Sequence, residues 1–232
     1  MAATPVVFLP GLLEDGRVFE VQAERLRSVT TCTVADLTRD DTIAGLARCA
    51  LGQAPAGRFA LAGHSMGGYV ALEILRQAPD RVDRLALLNT NARPDSVEST
   101  GNRRRLMALA EKDFPGVVAA LMPRLMTAEH LRDDRLTATI TGMALAVGKE
   151  AFARQQRAII GRIDSRPHLA RIGCPTLVVA ARSDALMPVE ILEELASGVP
   201  GARLEVVEDS GHMASLEQPE RVADLLVGWM ES

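Results

Sequence analysis

Phe59-Ala60-Leu61-Ala62-Gly63-His64-Ser65-Met66-Gly67-Gly68-Tyr69-Val70 passes from one structural pattern to another in a few residues. Phe59 to Ala62 is an apolar run of strand length, and Val70, Ala71, Ile74, Leu75 and Ala78 then recur at helical spacing. A serine set between a buried strand and a helix stands on a very tight turn. Gly63 and Gly67 lack Cβ atoms, so the two backbones can approach there. The Ser65 hydroxyl is thereby presented at the carboxyl end of the sheet. It also lies beside a helix N-terminus, whose unpaired N–H groups favour developing negative charge. This is the G-x-S-x-G nucleophile-elbow pattern in its strand–turn–helix setting.

The segments on either side repeat the alternation. Val6-Val7-Phe8-Leu9 predicts a buried strand closed by Pro10-Gly11, and residues 16–27 predict a helix whose apolar face carries Val18, Phe19, Val21 and Leu26. A second strand is expected at Cys32-Thr33-Val34-Ala35. A second helix runs from Thr42 to Leu51, started by Asp40 or Asp41. Arg84 to Asn89 and Pro175 to Ala180 read as the fourth and fifth strands. Helix Pro188–Ser197, strand Leu204–Val207 and helix Pro219–Met230 complete the pattern. Strands of near-continuous apolar character alternating with helices predict an α/β, doubly wound, mostly parallel sheet of about six strands. Residues 95–167 break the rhythm with about four helices, at 96–112, 115–126, 128–147 and 149–163. The core is therefore assigned to 1–94 and 168–232, with 95–167 a helical cap inserted over one end of the sheet.

Composition narrows the partners. A chain of 232 residues suits one α/β domain with an insertion. A formal charge of −4 gives no basic field for nucleic acid or an anionic membrane surface. Cys32, Cys49 and Cys174 form no C-x-x-C pair and fit neither a disulfide framework nor a zinc site; Cys49 and Cys174 read as small core residues. No segment has the length of a membrane span, and the start lacks a basic n-region, so a cytoplasmic protein is expected. Arg103-Arg104-Arg105 reads first as a solvated helix face and second as an anion site.

A serine needs a base, and the base needs a third group to orient it. Of the four histidines, His64 adjoins Ser65 with its ring directed elsewhere, His130 lies in the insertion and His168 follows Pro167. His212, in Asp209-Ser210-Gly211-His212-Met213, follows the last strand at the same sheet edge as Ser65, where ligands of parallel sheets bind. Asp184, after the fifth strand, is the expected acid. Asp209 is the alternative, although a turn role suits it better; Asp164 is expected to organise the loop before Arg166. The catalytic candidates are thus Ser65, Asp184 and His212.

With these residues placed, the chain resembles the α/β-hydrolase superfamily over nearly its whole length. The resemblance rests on Phe8-Leu9-Pro10-Gly11, Gly63-His64-Ser65-Met66-Gly67-Gly68, Gly173-Cys174-Pro175-Thr176-Leu177-Val178-Val179, Ser210-Gly211-His212 and Glu217-Gln218-Pro219-Glu220. It implies an oxyanion hole from the backbone N–H groups of Leu12 and Met66 and chemistry without metal or organic cofactor. Pro10-Gly11 stands where the family commonly has His-Gly, and Asp36 to Asp40 replaces a glycine-rich loop. The first strand here precedes the oxyanion loop directly, so the family's N-terminal hairpin is missing. The strand around Val34 then becomes a sheet edge, to be covered by Arg39, Asp40 and Asp41 or by a second copy in a homodimer.

The function expected is cleavage of small carboxylic esters, lactones or thioesters through an acyl-enzyme. The alternatives are the same triad used for carbon–carbon cleavage, lyase or acyl-transfer chemistry, and a receptor without catalysis. Met122, Met126 and Met143 of the insertion are the candidate substrate contacts. They predict a preference for short to medium apolar acyl groups over charged or sugar esters.

Overall fold

A computed structural model of the chain describes residues 4–231. Residues 1–3 and Ser232, assigned from sequence to the ends of the core, lie outside the described residues. The elements in chain order are β1 (Val6–Leu9), α1 (Glu20–Leu26, entered through a 3-10 turn at Gly16–Phe19), β2 (Cys32–Val34), α2 (Ile43–Gln53), β3 (Phe59–His64), α3 (Met66–Gln77) and β4 (Val82–Leu88). Three helices follow, α4 (Val97–Leu125), α5 (Asp134–Val147) and α6 (Lys149–Ile160). The chain then returns through β5 (Thr176–Ala181), α7 (Val189–Gly198), β6 (Arg203–Val207), the single turn α8 (Ala214–Glu217) and α9 (Pro219–Glu231). The six strands form one sheet in the order β2-β1-β3-β4-β5-β6, every neighbouring pair parallel. The strand around Val34 is an edge of that sheet, and it is only three residues long. A short edge offers little backbone to a foreign strand.

Side-chain alternation along each strand divides the core into two layers. Val7, Leu9, Leu61, Leu85, Leu87 and Val178 pack with α2, α3 and α7 on one face. Val6, Phe8, Ala60, Ala62, Leu88 and Val179 pack with α1 and α9 on the other, where Trp229 and Phe19 are almost fully buried. Each of the larger aliphatic and Phe side chains contributes about 1.5–3 kcal/mol by leaving water. The small Ala60, Ala62 and Ala86 leave room for these bulky helix residues.

Two local expectations are corrected. Thr42, not Asp40 or Asp41, caps α2: its hydroxyl accepts from the Gly45 N–H, and Asp40 in turn accepts from the Thr42 N–H and hydroxyl. Cys49 is half-buried rather than a core residue; Cys174, also half-buried, packs against the core, and all three cysteines are free thiols. In the insertion, α4 runs through both expected segments, but the backbone of Asp113 departs from helical angles just before Pro115. Proline there removes a hydrogen bond and clashes with the preceding turn, so the kink falls where sequence placed a boundary. Among the described residues no helix is long and apolar enough to cross a membrane.

Candidate active site

Ser65 is the junction between β3 and α3. Its φ of +50° and ψ of −114° lie where L-residues rarely go, a conformation that costs about 1–3 kcal/mol and persists only when its surroundings enforce it. Three contacts do so. The Ser65 N–H donates to Leu88 O (3.0 Å), and Ser65 O accepts from the Thr90 hydroxyl (2.7 Å) and the Gly68 N–H (3.0 Å). The crossing is so close that a Cβ on Gly67 would collide with the Leu9 carbonyl, and one on Gly68 with Thr90. The elbow glycines are therefore steric requirements.

The strained turn aims the serine hydroxyl at the loop after β6. Ser65 Oγ lies 2.8 Å from His212 Nε2, and His212 Nδ1 lies 2.8 Å from Asp184 Oδ2. His212 and Asp184 are almost fully buried, while Ser65 is partly open. Asp184 also accepts from Asn89 Nδ2 (2.9 Å) and from the N–H groups of Leu186 (2.8 Å) and Met187 (2.9 Å). Burial alone would raise its pKa, but His212 and these donors outweigh it and hold the carboxyl below the ordinary aspartate value. Asp184 is thus a stable anion able to keep a proton on Nδ1 and leave Nε2 free to accept one from Ser65. Asp209, the alternative acid, is exposed and occupies a turn at φ +50°. Asp164 binds Arg166 two residues on.

Among the described residues, two backbone N–H groups near Ser65 in the fold lack an ordinary partner. The Met66 N–H opens α3, where no earlier carbonyl can complete a helical bond. In the loop after β1, the Gly11 N–H donates to Glu14 (2.6 Å) and the Leu13 N–H to Gln155 (3.1 Å). Among the described residues no acceptor pairs with the intervening Leu12 N–H, and Leu12 lines the same cavity as Ser65 and His212.

Several supporting residues escaped the sequence reading. Asn89 ends β4 at φ +48°, a left-handed angle that asparagine tolerates better than most residues. Glu217, fully buried, accepts from the Gly211 N–H (2.8 Å) and the Thr127 N–H (2.9 Å), and also pairs with His130 (2.9 Å). It therefore fastens the His212 loop to the insertion. His64 points away from the serine hydroxyl, as expected, but it is not idle. Its Nε2 donates to His212 O (2.8 Å) and its Nδ1 meets Glu14 (2.9 Å), all inside the protein. A carbonyl can only accept, so an imidazolium satisfies both contacts at once.

Burial opposes a charge on His64, but the Glu14 carboxylate and the two hydrogen bonds prevail and hold its pKa above the ordinary histidine value. A raised folded-state pKa adds stability that is full below the unfolded value, about 6.5, and disappears as pH rises through the folded value. The margin by which wild type melts above His64→Gln should therefore be largest below about pH 6.5 and shrink as pH rises through the higher folded value. A pH-independent difference would rule out a charged His64.

The cavity that Ser65 and His212 share has a volume of about 320 Å³, small for a ligand site. A larger surface concavity of about 800 Å³, lined by Arg58, Asp83 and Cys174, lies at the amino ends of β3, β4 and β5. That is the wrong edge for ligands of a parallel sheet. Met122 and Met143 line the smaller cavity. Met126 does not: it is buried in the core beneath, and its backbone packs against Gly211. The lining also departs from the few fixed polar groups behind the expected preference for apolar acyl chains, because Arg103, Arg162, Gln156 and Asn91 share the wall with Leu106, Leu121 and Ile140. These polar groups come from distant segments, and only Arg103, in the Arg103-Arg104-Arg105 triplet, stands out in sequence. Among the described residues no three His, Cys, Asp or Glu side chains converge as a metal site would need.

Comparison with known proteins agrees with this architecture. The family model for the alpha/beta hydrolase fold matches residues 4–219. A thermophilic esterase from Thermogutta terrifontis, solved with malate bound, is 31% identical, with a TM-score of 0.89 over 99% of this chain and 90% of that one. The enol-lactonase from Burkholderia xenovorans LB400 superposes with a TM-score of 0.90 over 99% of this chain and 92% of its own; at 24% identity that likeness concerns the fold. A curated relative from Serratia proteamaculans, named "Putative carbamate hydrolase RutD", is 29% identical over 174 residues, which is 72% of this chain. The chain spans about 64% of that relative's length.

Proposed function

The chain belongs to the alpha/beta hydrolase family, and from that premise we propose that it is a serine hydrolase of small carboxylic esters. The observation that carries the reading is the unbroken chain of hydrogen bonds from Ser65 Oγ through His212 to Asp184. The similarity to an esterase at 31% identity supports ester as the bond class.

Ser65 attacks the ester carbonyl while His212 Nε2 takes its proton, and the carbonyl π pair moves onto oxygen. That oxygen is received by the Leu12 and Met66 N–H groups, which need no rearrangement to meet it. Asp184 stabilises the imidazolium and fixes its tautomer. Collapse of the adduct breaks the carbon–oxygen bond, and His212 returns its proton to the departing alkoxide. Water, deprotonated by His212, then attacks the acyl-serine; a second collapse releases the acid and restores the serine hydroxyl. The helices of 95–167 act as the cap over this site, and Met122 and Met143 supply apolar contact to the acyl chain.

With 4-nitrophenyl butyrate the protein should yield equimolar butyrate and 4-nitrophenolate. Rapid acid quenching should recover a butyrylated peptide containing Ser65. Turnover without that peptide, or no release of butyrate, would contradict an acyl-enzyme route. Carbamates are a second class, favoured by the name of the Serratia relative. Attack on them would leave a carbamoyl group on Ser65 by the same steps. Nitrogen donation makes that carbonyl less electrophilic, so the ester should turn over faster than the matched 4-nitrophenyl carbamate.

A further inference from the structure

We propose that the substrate carries a carboxylate, held in the cavity by Arg103 and Arg162. The inference rests on the hydrolase reading above and specifies which esters that site takes. Arg103 lies on α4 and Arg162 just after α6, and both line the cavity with Ser65. They converge on Asp95, whose side chain is almost wholly buried: Arg162 Nη1 lies 2.7 Å and Arg103 Nε 3.2 Å from its Oδ1. Burial alone would raise the Asp95 pKa, yet the Arg103 charge, the Thr100 hydrogen bond and Arg162 hold it below the ordinary value. Asp95 is therefore a full anion. Two guanidiniums face this one carboxylate, which leaves a net positive charge at the wall.

The other charges at the cavity do not cancel that surplus. Glu14 is engaged by His64, and Arg93 pairs with Glu194. Arg124 lines the cavity as a further cation. Nor are the guanidinium donors used up. Arg162 gives Nε to Arg93 O and Nη1 to Asp95 and Ile159 O; Arg103 gives Nε to Asp95 and Nη1 to Gln156. Among the described residues the Nη2 group of each has no acceptor. A tether between α4 and the core would need only one arginine, since Arg162 and the Thr100 hydroxyl already occupy both Asp95 oxygens.

Arg162, the other member of the pair, lines the same cavity as Ser65. The Arg162 guanidinium stacks over the Tyr69 ring at 4.5 Å, and Tyr69 follows Ser65 by about one turn of α3. Stacking fixes the plane of the guanidinium, and a planar fork of donors suits a carboxylate. A small ester with a carboxylate at its other end would thus have its two functional groups met by separate parts of one cavity.

The test compares kcat/KM for monomethyl glutarate and dimethyl glutarate, which share the scissile group and differ in the distal charge. The wild-type protein should prefer the monoester by about tenfold or more, although the diester offers two cleavable carbonyls. Arg103→Gln should bring the ratio close to one, Arg103→Lys should retain part of it, and glutarate should inhibit the wild type more strongly than Arg103→Gln. Melting curves establish that the variants are folded; if they are not, the wild-type ratio decides alone. Cleavage of both esters with no preference for the monoester would overturn the carboxylate site and leave the hydrolase reading standing. If neither is cleaved and a fluorophosphonate leaves Ser65 unmodified, both readings fall.

Discussion

Ser65→Ala should abolish ester hydrolysis, with kcat falling by roughly 10⁵–10⁶-fold, the scale expected when the nucleophile of a cooperating triad is removed. The size follows from how the site divides its work. Without the hydroxyl there is no acyl-enzyme, and His212 can only activate water held less well than a covalently placed oxygen. The Leu12 and Met66 donors remain, so a residual rate of about 10³-fold over solution is expected. Folding should be unharmed or slightly improved. The main-chain bonds to Leu88, Thr90 and Gly68 do not depend on the side chain, and alanine bears the same φ of +50°. Loss of activity with an unchanged or higher melting temperature is the expected result; activity within tenfold of wild type would remove Ser65 from the chemistry.

Asp184→Asn should lower kcat by about 10⁴-fold while KM changes little. Aspartate accepts from His212 Nδ1–H and so leaves Nε2 bare to take the serine proton. An asparagine amide can turn its NH₂ toward Nδ1, which favours the opposite tautomer and puts the proton on Nε2. The imidazolium also loses its counter-charge. There is a stability consequence with a definite sign. Asp184 has a folded pKa below its unfolded one, so its contribution is complete above the unfolded value, about 3.9, and is lost as pH falls through the lower folded value. The melting temperature of wild type should therefore approach that of Asp184→Asn in acid. A wild-type rate in Asp184→Asn together with loss in Asp209→Asn would move the acid to the other carboxylate.

The fold was legible because its signal is local. The four central strands are apolar on both faces, and each strand is followed by a helical pattern, so β3 to α3 can be read from Phe59 to Ala78 without tertiary information. Ser65, Asp184 and His212 could be picked out for a related reason: each follows a strand, and parallel strands bring their carboxyl ends to one edge. What could not be read depends on contacts between remote segments. Glu14 meets His64, Glu217 fastens Gly211 and Thr127, and Arg162 and Arg103 meet at Asp95. Sequence marks Arg103 within an arginine triplet and Glu217 within a family pattern, but it does not reveal their partners across the fold. The methionines show the same limit: all three pack into one apolar cluster, and helical spacing cannot tell Met122 and Met143, which also line the cavity, from Met126, which does not. The triplet Arg103-Arg104-Arg105 divides likewise: Arg103 turns inward to Asp95, while Arg104 and Arg105 are exposed.

The central claim is that Ser65 is a nucleophile activated by His212. Labelling with a fluorophosphonate, read by intact mass and peptide mapping, tests it without reference to any natural substrate. One adduct per chain, located on Ser65 and formed far more slowly in His212→Ala, is the predicted result. An adduct on another residue, or equally fast labelling of Ser65 in His212→Ala, would contradict it.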